Sequence, residues 1–152
     1  MTVQRIDIGK TQPASYKALM ALHKATIDAA AGAGVSARVI ELVKIRASQI
    51  NGCAFCLRLH STDALAVGET PDRLAVLSAW RETQYFTDAE IAALRISEYV
   101  TDISAAELSE DVYAEIGEAL SADQIAAVHW LAIVINAFNR VAIASHMPVV
   151  PE

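Results

Sequence analysis

The apolar positions along the chain fit helices rather than strands. No segment alternates apolar and polar residues with the β-branched enrichment of a strand. Ile91, Leu94 and Tyr99 supply apolar positions of one predicted helix, and the stretch 121–145 is apolar almost all round, which is typical of a central or intersubunit helix. The pattern therefore predicts an all-α protein, a compact bundle of about six to seven helices in one domain over residues 1–152.

Capping residues and glycines divide this pattern into elements. Serine or threonine followed three residues later by glutamate or glutamine marks a helix start, and glycine marks a helix end. We expect helices over about 14–31, from the cap Ser36 to Asn51, from Cys53 to Val67, from Pro71 onward, from the cap Thr87, from the cap Ser109, and from the cap Ser121 to about Ser145.

Composition and charge narrow the possible partners. Hydrophobic residues make up 54% of the 152 residues, which is enough for a core and for buried contacts in a homo-oligomer. The net charge is -6 and the 12 Lys and Arg residues are scattered, so we expect no nucleic-acid partner.

The beginning of the chain lacks a signal-peptide pattern, and the longest uncharged run, 124–139, is shorter than a membrane span. We expect a cytoplasmic protein without a membrane partner.

The candidate chemistry lies in the segment 53–60. Cys53 follows Gly52 at a predicted helix start, where unpaired N–H groups and the helix dipole stabilise a thiolate. Cys56 lies one turn further, close enough for a disulfide. His60 follows Cys56 by four residues on the same face, so its imidazole leans toward that sulfur and can act as a base. In a reducing compartment the pair predicts redox chemistry, although two buried, inert cysteines are the alternative.

Glu41 is the fourth candidate. It lies on the preceding helix and reaches the His60 region if the two helices pack antiparallel across the short turn at Gly52. Its default interpretation is a helix-surface ion pair, since Arg38 and Lys44 lie three residues to either side.

Other kinds of site have less support. A structural zinc site needs four ligands, but His23, His129 and His146 stand singly and there is no second cysteine pair. We therefore expect no metal. No phosphate-binding loop or esterase or metalloprotease motif occurs.

Two further groups are expected to be structural. The cluster Trp80, Tyr85 and Phe86 favours a core position over a pocket lining. The polar residues of the last helix should be hydrogen-bonded, Asn136, Asn139 and Arg140 to loop backbones or a neighbouring subunit, and His129 within the core.

Glu41 followed by Cys53, Cys56 and His60 resembles the signature of the alkylhydroperoxidase D-like proteins of the carboxymuconolactone decarboxylase superfamily. The similarity extends from about residue 22 to residue 143. It includes the helix 41–53 that leads into the site and the segments 80–83, 86–90 and 135–140.

This resemblance implies an all-α fold that assembles into trimers or hexamers and a two-cysteine peroxidase. Cys56 would attack the peroxide and become a sulfenic acid, Cys53 would resolve it to a disulfide, and His60 and Glu41 would relay protons. It implies no cofactor beyond the redox-active disulfide, which an external dithiol, a lipoyl group or a thioredoxin-like protein would reduce.

Two features complicate the assignment. The helix dipole favours Cys53 as the more acidic thiol, whereas the resemblance and the placement of His60 favour Cys56. Some family members carry a second histidine between the cysteines, where this chain has Phe55. The relay of this chain would then be shorter, and its electron donor need not be theirs. The alternatives are a gamma-carboxymuconolactone decarboxylase-type enzyme, although those members generally lack the cysteine pair, and a non-catalytic oligomeric redox sensor.

Overall fold

The computed structural model describes residues 5–151, and this part of the chain is all-helical. Its eight α-helices and single 3-10 helix agree with the predicted fold class, and no strand occurs among the described residues. In chain order they are α1 (Ile8–Thr11), α2 (Pro13–Gly32), α3 (Ala37–Asn51), α4 (Ala54–Ala66), α5 (Pro71–Val76), the 3-10 helix (Leu77–Glu82), α6 (Asp88–Thr101), α7 (Glu110–Ala119) and α8 (Ala122–Ala144).

Local side-chain caps set most of the helix starts. Thr87 and Ser121 form complete capping boxes with Glu90 and Gln124, in which each side chain bonds the other residue's backbone N–H. Ser36 caps α3, Ser109 caps α7 and Thr70 caps α5 through their hydroxyls. The structure confirms these predicted helix starts. They were predictable because each cap involves only residues within one turn.

Two elements differ from the sequence-based expectation. The single-turn helix α1 was not expected, since it has no apolar periodicity and is formed by the Asp7 side chain accepting a hydrogen bond from Lys10 N–H. The helix expected from Pro71 ends at Val76 and continues as a 3-10 helix with non-helical backbone at Ala79. This change from α-helix to 3-10 helix directs Trp80 into the core, where it is buried.

Helix α3 is the centre of the fold. It packs against α4, α6 and α8, and Leu42, Val43 and Ile45 are almost fully buried.

Helix α8 is long and apolar enough to cross a membrane by length and composition alone. Within the fold, 56% of its most apolar window is buried, as expected for the core helix of a soluble protein.

Asparagine side chains tie the end of α3 to α8. Asn51 Nδ2 donates to the Oδ1 atoms of Asn136 and Asn139, each at 2.8 Å. Asn139 donates to Ser48 Oγ at 3.0 Å, and Asn136 donates to Thr101 Oγ1 at 2.9 Å. The α8 asparagines therefore bond side chains of α3 and α6, and not the loop backbones that were one of their two expected kinds of partner. These bonds anchor α3 where the chain turns toward Cys53.

The turn between α3 and α4 requires glycine for conformational reasons alone. Gly52 has φ +68° and ψ +35°, the left-handed region, yet a Cβ there would meet nothing within 4 Å. We therefore expect Gly52→Ala to lower the free energy of unfolding by about 1–2 kcal/mol through backbone strain. Urea denaturation followed by circular dichroism measures this change.

The matched control is Gly117→Ala, in the last turn of α7, where a Cβ would also meet nothing within 4 Å. There alanine should raise stability by about 0.5–1 kcal/mol, since a right-handed helix favours it over glycine. Equal shifts for the two variants would contradict the assignment of strain to Gly52.

Candidate active site

The hairpin of α3 and α4 brings the four predicted residues together. The two helices pack across the Gly52 turn, so that Glu41, eleven residues before the turn, meets His60, eight residues after it. The Glu41 Oε2 and His60 Nδ1 atoms are 3.0 Å apart. The antiparallel arrangement needed for this contact is present.

The two cysteines form a disulfide at the start of α4. Their Cα atoms are 5.4 Å apart, within the ordinary range for a disulfide. Cys53 is the N-cap residue of α4, and its sulfur accepts a hydrogen bond from the Cys56 N–H at 3.3 Å. Both residues are buried, with 1% of Cys53 and 3% of Cys56 exposed. Access to either sulfur therefore depends on the cavities around it.

Glu41 is a buried carboxylate rather than a surface one. It is 8% exposed, and its Oε1 accepts from Lys44 Nζ at 2.7 Å. The expected ion pair with Lys44 exists, but inside the fold, while Arg38 instead donates to the Gly68 carbonyl at 3.0 Å. Burial would raise the pKa of Glu41, yet hydrogen bonds from His60 and Lys44 hold that pKa below its ordinary value of 4.5. Glu41 is thus ionised near neutral pH.

The ionised Glu41 determines the tautomer of His60. A carboxylate only accepts hydrogen bonds, so His60 Nδ1 must carry the proton it donates to Glu41 Oε2. In the neutral imidazole, Nε2 is then the basic nitrogen. Asp63 Oδ2 also lies 3.5 Å from His60 Nδ1. In the reduced protein, a carboxylate and an imidazole arranged in this way can deprotonate a cysteine.

Cys56 and His60 line one mainly apolar cavity between α2, α4 and α8. Its volume is about 240 Å³. Met20, Phe55, Leu59, Leu131, Ile135 and Phe138 provide apolar walls. Lys44 supplies a cation at the same cavity. A small molecule in this cavity would lie against Cys56 and His60 between mainly apolar walls.

His23 is a site residue that sequence reasoning missed. It lies on α2 and lines the same cavity as Cys56 and His60, with its ring edge-to-face against Phe138 at 5.4 Å between centroids. Burial lowers the pKa of His23 from its ordinary 6.5, and the Lys44 cation acts in the same direction. A single histidine thirty residues or more from the cysteines carries no local signal, because only the packing of α2 onto α8 brings it here.

The other candidates lie elsewhere. Trp80 and Phe86 are buried in a core cluster with Leu77 and Leu94, which confirms the structural expectation for these two aromatic residues. Tyr85 is exposed. His129 is half-buried rather than fully in the core, and its Nδ1 lies 2.8 Å from the Ile125 carbonyl oxygen.

One group of side chains has a spacing that suits a metal ion. Donor atoms of Glu41, His60 and Asp63 all lie within 4.8 Å of one another. However, the Lys44 ammonium lies 2.7 Å from Glu41 Oε1, and Glu41 Oε2 is bonded to His60. A buried cation and an imidazole already occupy the carboxylate, so these residues are better suited to proton transfer than to metal binding.

The fold and site define an all-α protein with a Cys-x-x-Cys disulfide beside a Glu–His pair. The chain belongs to the carboxymuconolactone decarboxylase family, whose model matches residues 13–99. It is 34% identical to the uncharacterized protein YdfG of Bacillus subtilis (strain 168) over 141 residues, covering 93% of each chain.

A solved structure has the same fold over its full length. The crystal structure of a protein of unknown function from Agrobacterium tumefaciens, a candidate AhpD antioxidant defence protein, has a TM-score of 0.87 and 31% sequence identity. The match covers 99% of this chain and 100% of that one. This chain is accordingly an AhpD-like member of its family.

Proposed function

We propose that this protein is a thiol-dependent peroxidase that reduces hydrogen peroxide or alkyl hydroperoxides. The Cys56 thiolate attacks the terminal oxygen of the hydroperoxide, the O–O bond breaks, and the leaving oxygen takes a proton to become an alcohol or water. Cys56 is left as a sulfenic acid. The Cys53 thiol then attacks the Cys56 sulfur, which forms the disulfide and releases one water. An external dithiol returns both cysteines to thiols and is itself oxidised to a disulfide.

The observation that carries this proposal is the shared cavity of Cys56 and His60, with Glu41 behind the imidazole. In the reduced protein, His60 Nε2 takes the Cys56 proton and can return it to the leaving oxygen. Glu41 holds the ring in the required tautomer and stabilises the imidazolium that forms. Glu41 and His60 thus serve both the attack and the departure of the leaving group.

The cavity also supports the choice of Cys56 over Cys53 as the attacking sulfur. Cys56 lines the cavity that holds His60 and Lys44. His60 can take the thiol proton, and the Lys44 cation favours the thiolate and polarises a bound peroxide. The N-terminus of α4 favours a Cys53 thiolate by only about 0.3–1 kcal/mol. A directly placed base outweighs it.

The test is peroxide consumption by the purified protein with dihydrolipoamide as the reductant. We expect sustained consumption of hydrogen peroxide or cumene hydroperoxide, many equivalents per protein chain, measured by coupled loss of the dithiol. Consumption of a single equivalent would instead support a redox sensor. No consumption, even with thioredoxin or glutathione as the reductant, would overturn the peroxidase proposal and direct attention to decarboxylation of lactone substrates.

A further inference from the structure

The two cysteines of the disulfide line different cavities. Cys56 lines the apolar cavity that also holds His60. Cys53 lines a second one, of about 210 Å³, at the turn between α3 and α4 and the end of α8, together with Gly52 and Ala54. The two cavities adjoin, since Phe55, Ala142 and Met147 line both, but Cys56 does not line the second cavity and Cys53 does not line the first.

The second cavity, like the first, has a basic side chain in its lining. Arg5 and His146, both exposed, line it together with Cys53. On a chain with a net charge of -6, the permanently charged Arg5 guanidinium makes this opening favourable for an approaching anion. The nucleophile that reduces a disulfide is a thiolate, which is an anion.

We propose that the reducing dithiol enters through this second cavity and attacks Cys53, not Cys56. This inference assigns the partner step of the proposed peroxidase and rests on that function for its biological role. The dithiol's thiolate bonds to Cys53 Sγ, the Cys53–Cys56 bond breaks, and its electron pair leaves on Cys56 as a thiolate. The reductant is then held to Cys53 in a mixed disulfide.

The surroundings of each sulfur match this order of events. Exchange is faster when the departing sulfur is stabilised as a thiolate, and Cys56 departs into the cavity lined by His60 and Lys44. The attack thus regenerates the peroxide-reactive thiolate directly. Attack on Cys56 would require the reductant to enter the peroxide cavity and would leave that sulfur blocked.

The second step of the reduction, the release of Cys53, depends on the position of Cys53 at the start of α4. The remaining thiol of the dithiol attacks its own sulfur in the mixed disulfide, closes a cyclic disulfide and expels Cys53 as a thiolate, which then takes up a proton. Cys53 is the N-cap of α4, and its sulfur already accepts the Cys56 N–H at 3.3 Å. That contact and the helix dipole stabilise the departing thiolate. The proposed partner is therefore a small dithiol, free or carried on a flexible arm that enters a cavity of this size.

The first test traps the mixed disulfide in the unmodified protein without peroxide. The oxidised protein is treated briefly with 2-mercaptoethanol, quenched with acid and maleimide, and digested with trypsin. Cleavage after Arg46 and Arg58 leaves both cysteines on one peptide, and fragmentation locates the adduct. We expect mercaptoethanol on Cys53 and maleimide on Cys56. An adduct on Cys56, or an equal distribution, would overturn the proposal whether or not the protein is a peroxidase.

A second test closes the proposed opening. Ala54 is exposed and lines only the Cys53 cavity of the two, so Ala54→Trp should slow reduction of the disulfide by dithiothreitol by about tenfold or more. The matched control is Leu65→Trp, on the exposed surface of the same helix and outside both cavities, which should reduce at the unmodified rate. Equal reduction rates for Ala54→Trp and Leu65→Trp would contradict entry by this route.

Discussion

Cys56→Ser is expected to lower peroxide consumption to the protein-free rate, a loss on the order of a thousandfold or more, because a hydroxyl at this position is a far weaker nucleophile than a thiolate. The substitution replaces one sulfur by a smaller oxygen in a buried site, so the fold should persist. Steady-state turnover with dihydrolipoamide, with circular dichroism as the check on folding, measures the effect.

Cys53→Ser is the matched control for this prediction, since it removes the other half of the same disulfide. It should still consume one equivalent of peroxide and accumulate the Cys56 sulfenic acid, because only the resolving step is lost. Dimedone labelling followed by mass spectrometry detects that species. A sulfenic acid on Cys53 in the Cys56→Ser protein, formed at the rate of the unmodified enzyme, would reverse the assigned roles.

His60→Gln is expected to slow the attack on peroxide by about 10²–10⁴-fold at neutral pH, the usual contribution of a general base. Glutamine keeps a polar side chain beside Glu41 Oε2 but cannot take the Cys56 proton. The loss should shrink as the pH rises above about 8.5, where an ordinary cysteine thiol ionises without help. Single-turnover oxidation of the reduced protein across pH 6–10 measures both effects.

His129→Gln serves as the control for a general effect of removing a histidine. His129 lies on α8, bonds the Ile125 carbonyl and does not line the cavity of Cys56. Its substitution should leave the oxidation rate and its pH profile unchanged. A His60→Gln protein that loses activity equally at every pH would indicate that His60 positions the site instead of serving as the base.

Most of the fold was predictable from short-range signals in the sequence. Ser36, Thr87, Ser109 and Ser121 each start a helix where the pattern predicts. Their hydroxyls bond backbone groups only three residues away, so tertiary packing has little influence on them. The single turn α1 was not predictable, because a one-turn helix has no periodicity for a sequence pattern to show.

The arrangement of Cys53, Cys56 and His60 was likewise predictable from their spacing in the sequence. The cysteines and the histidine lie on one short helix, and the glycine turn before it places Cys53 at the cap. Their geometry follows from helix periodicity alone. The role of each residue in catalysis stays a prediction for the experiments above.

Only the tertiary structure decided what surrounds these residues. Glu41 is flanked by basic residues and its sequence pattern favours a surface ion pair, yet the packing of α3 between α4, α6 and α8 buries it and aims it at His60. His23 and the separate cavities of the two sulfurs depend on α2 and α8, which are distant in sequence from α4. The sequence by itself determined the helices and the reactive segment, because these depend on contacts within a turn. The burial, charge and access of that segment depend on contacts between distant helices, which no local pattern encodes.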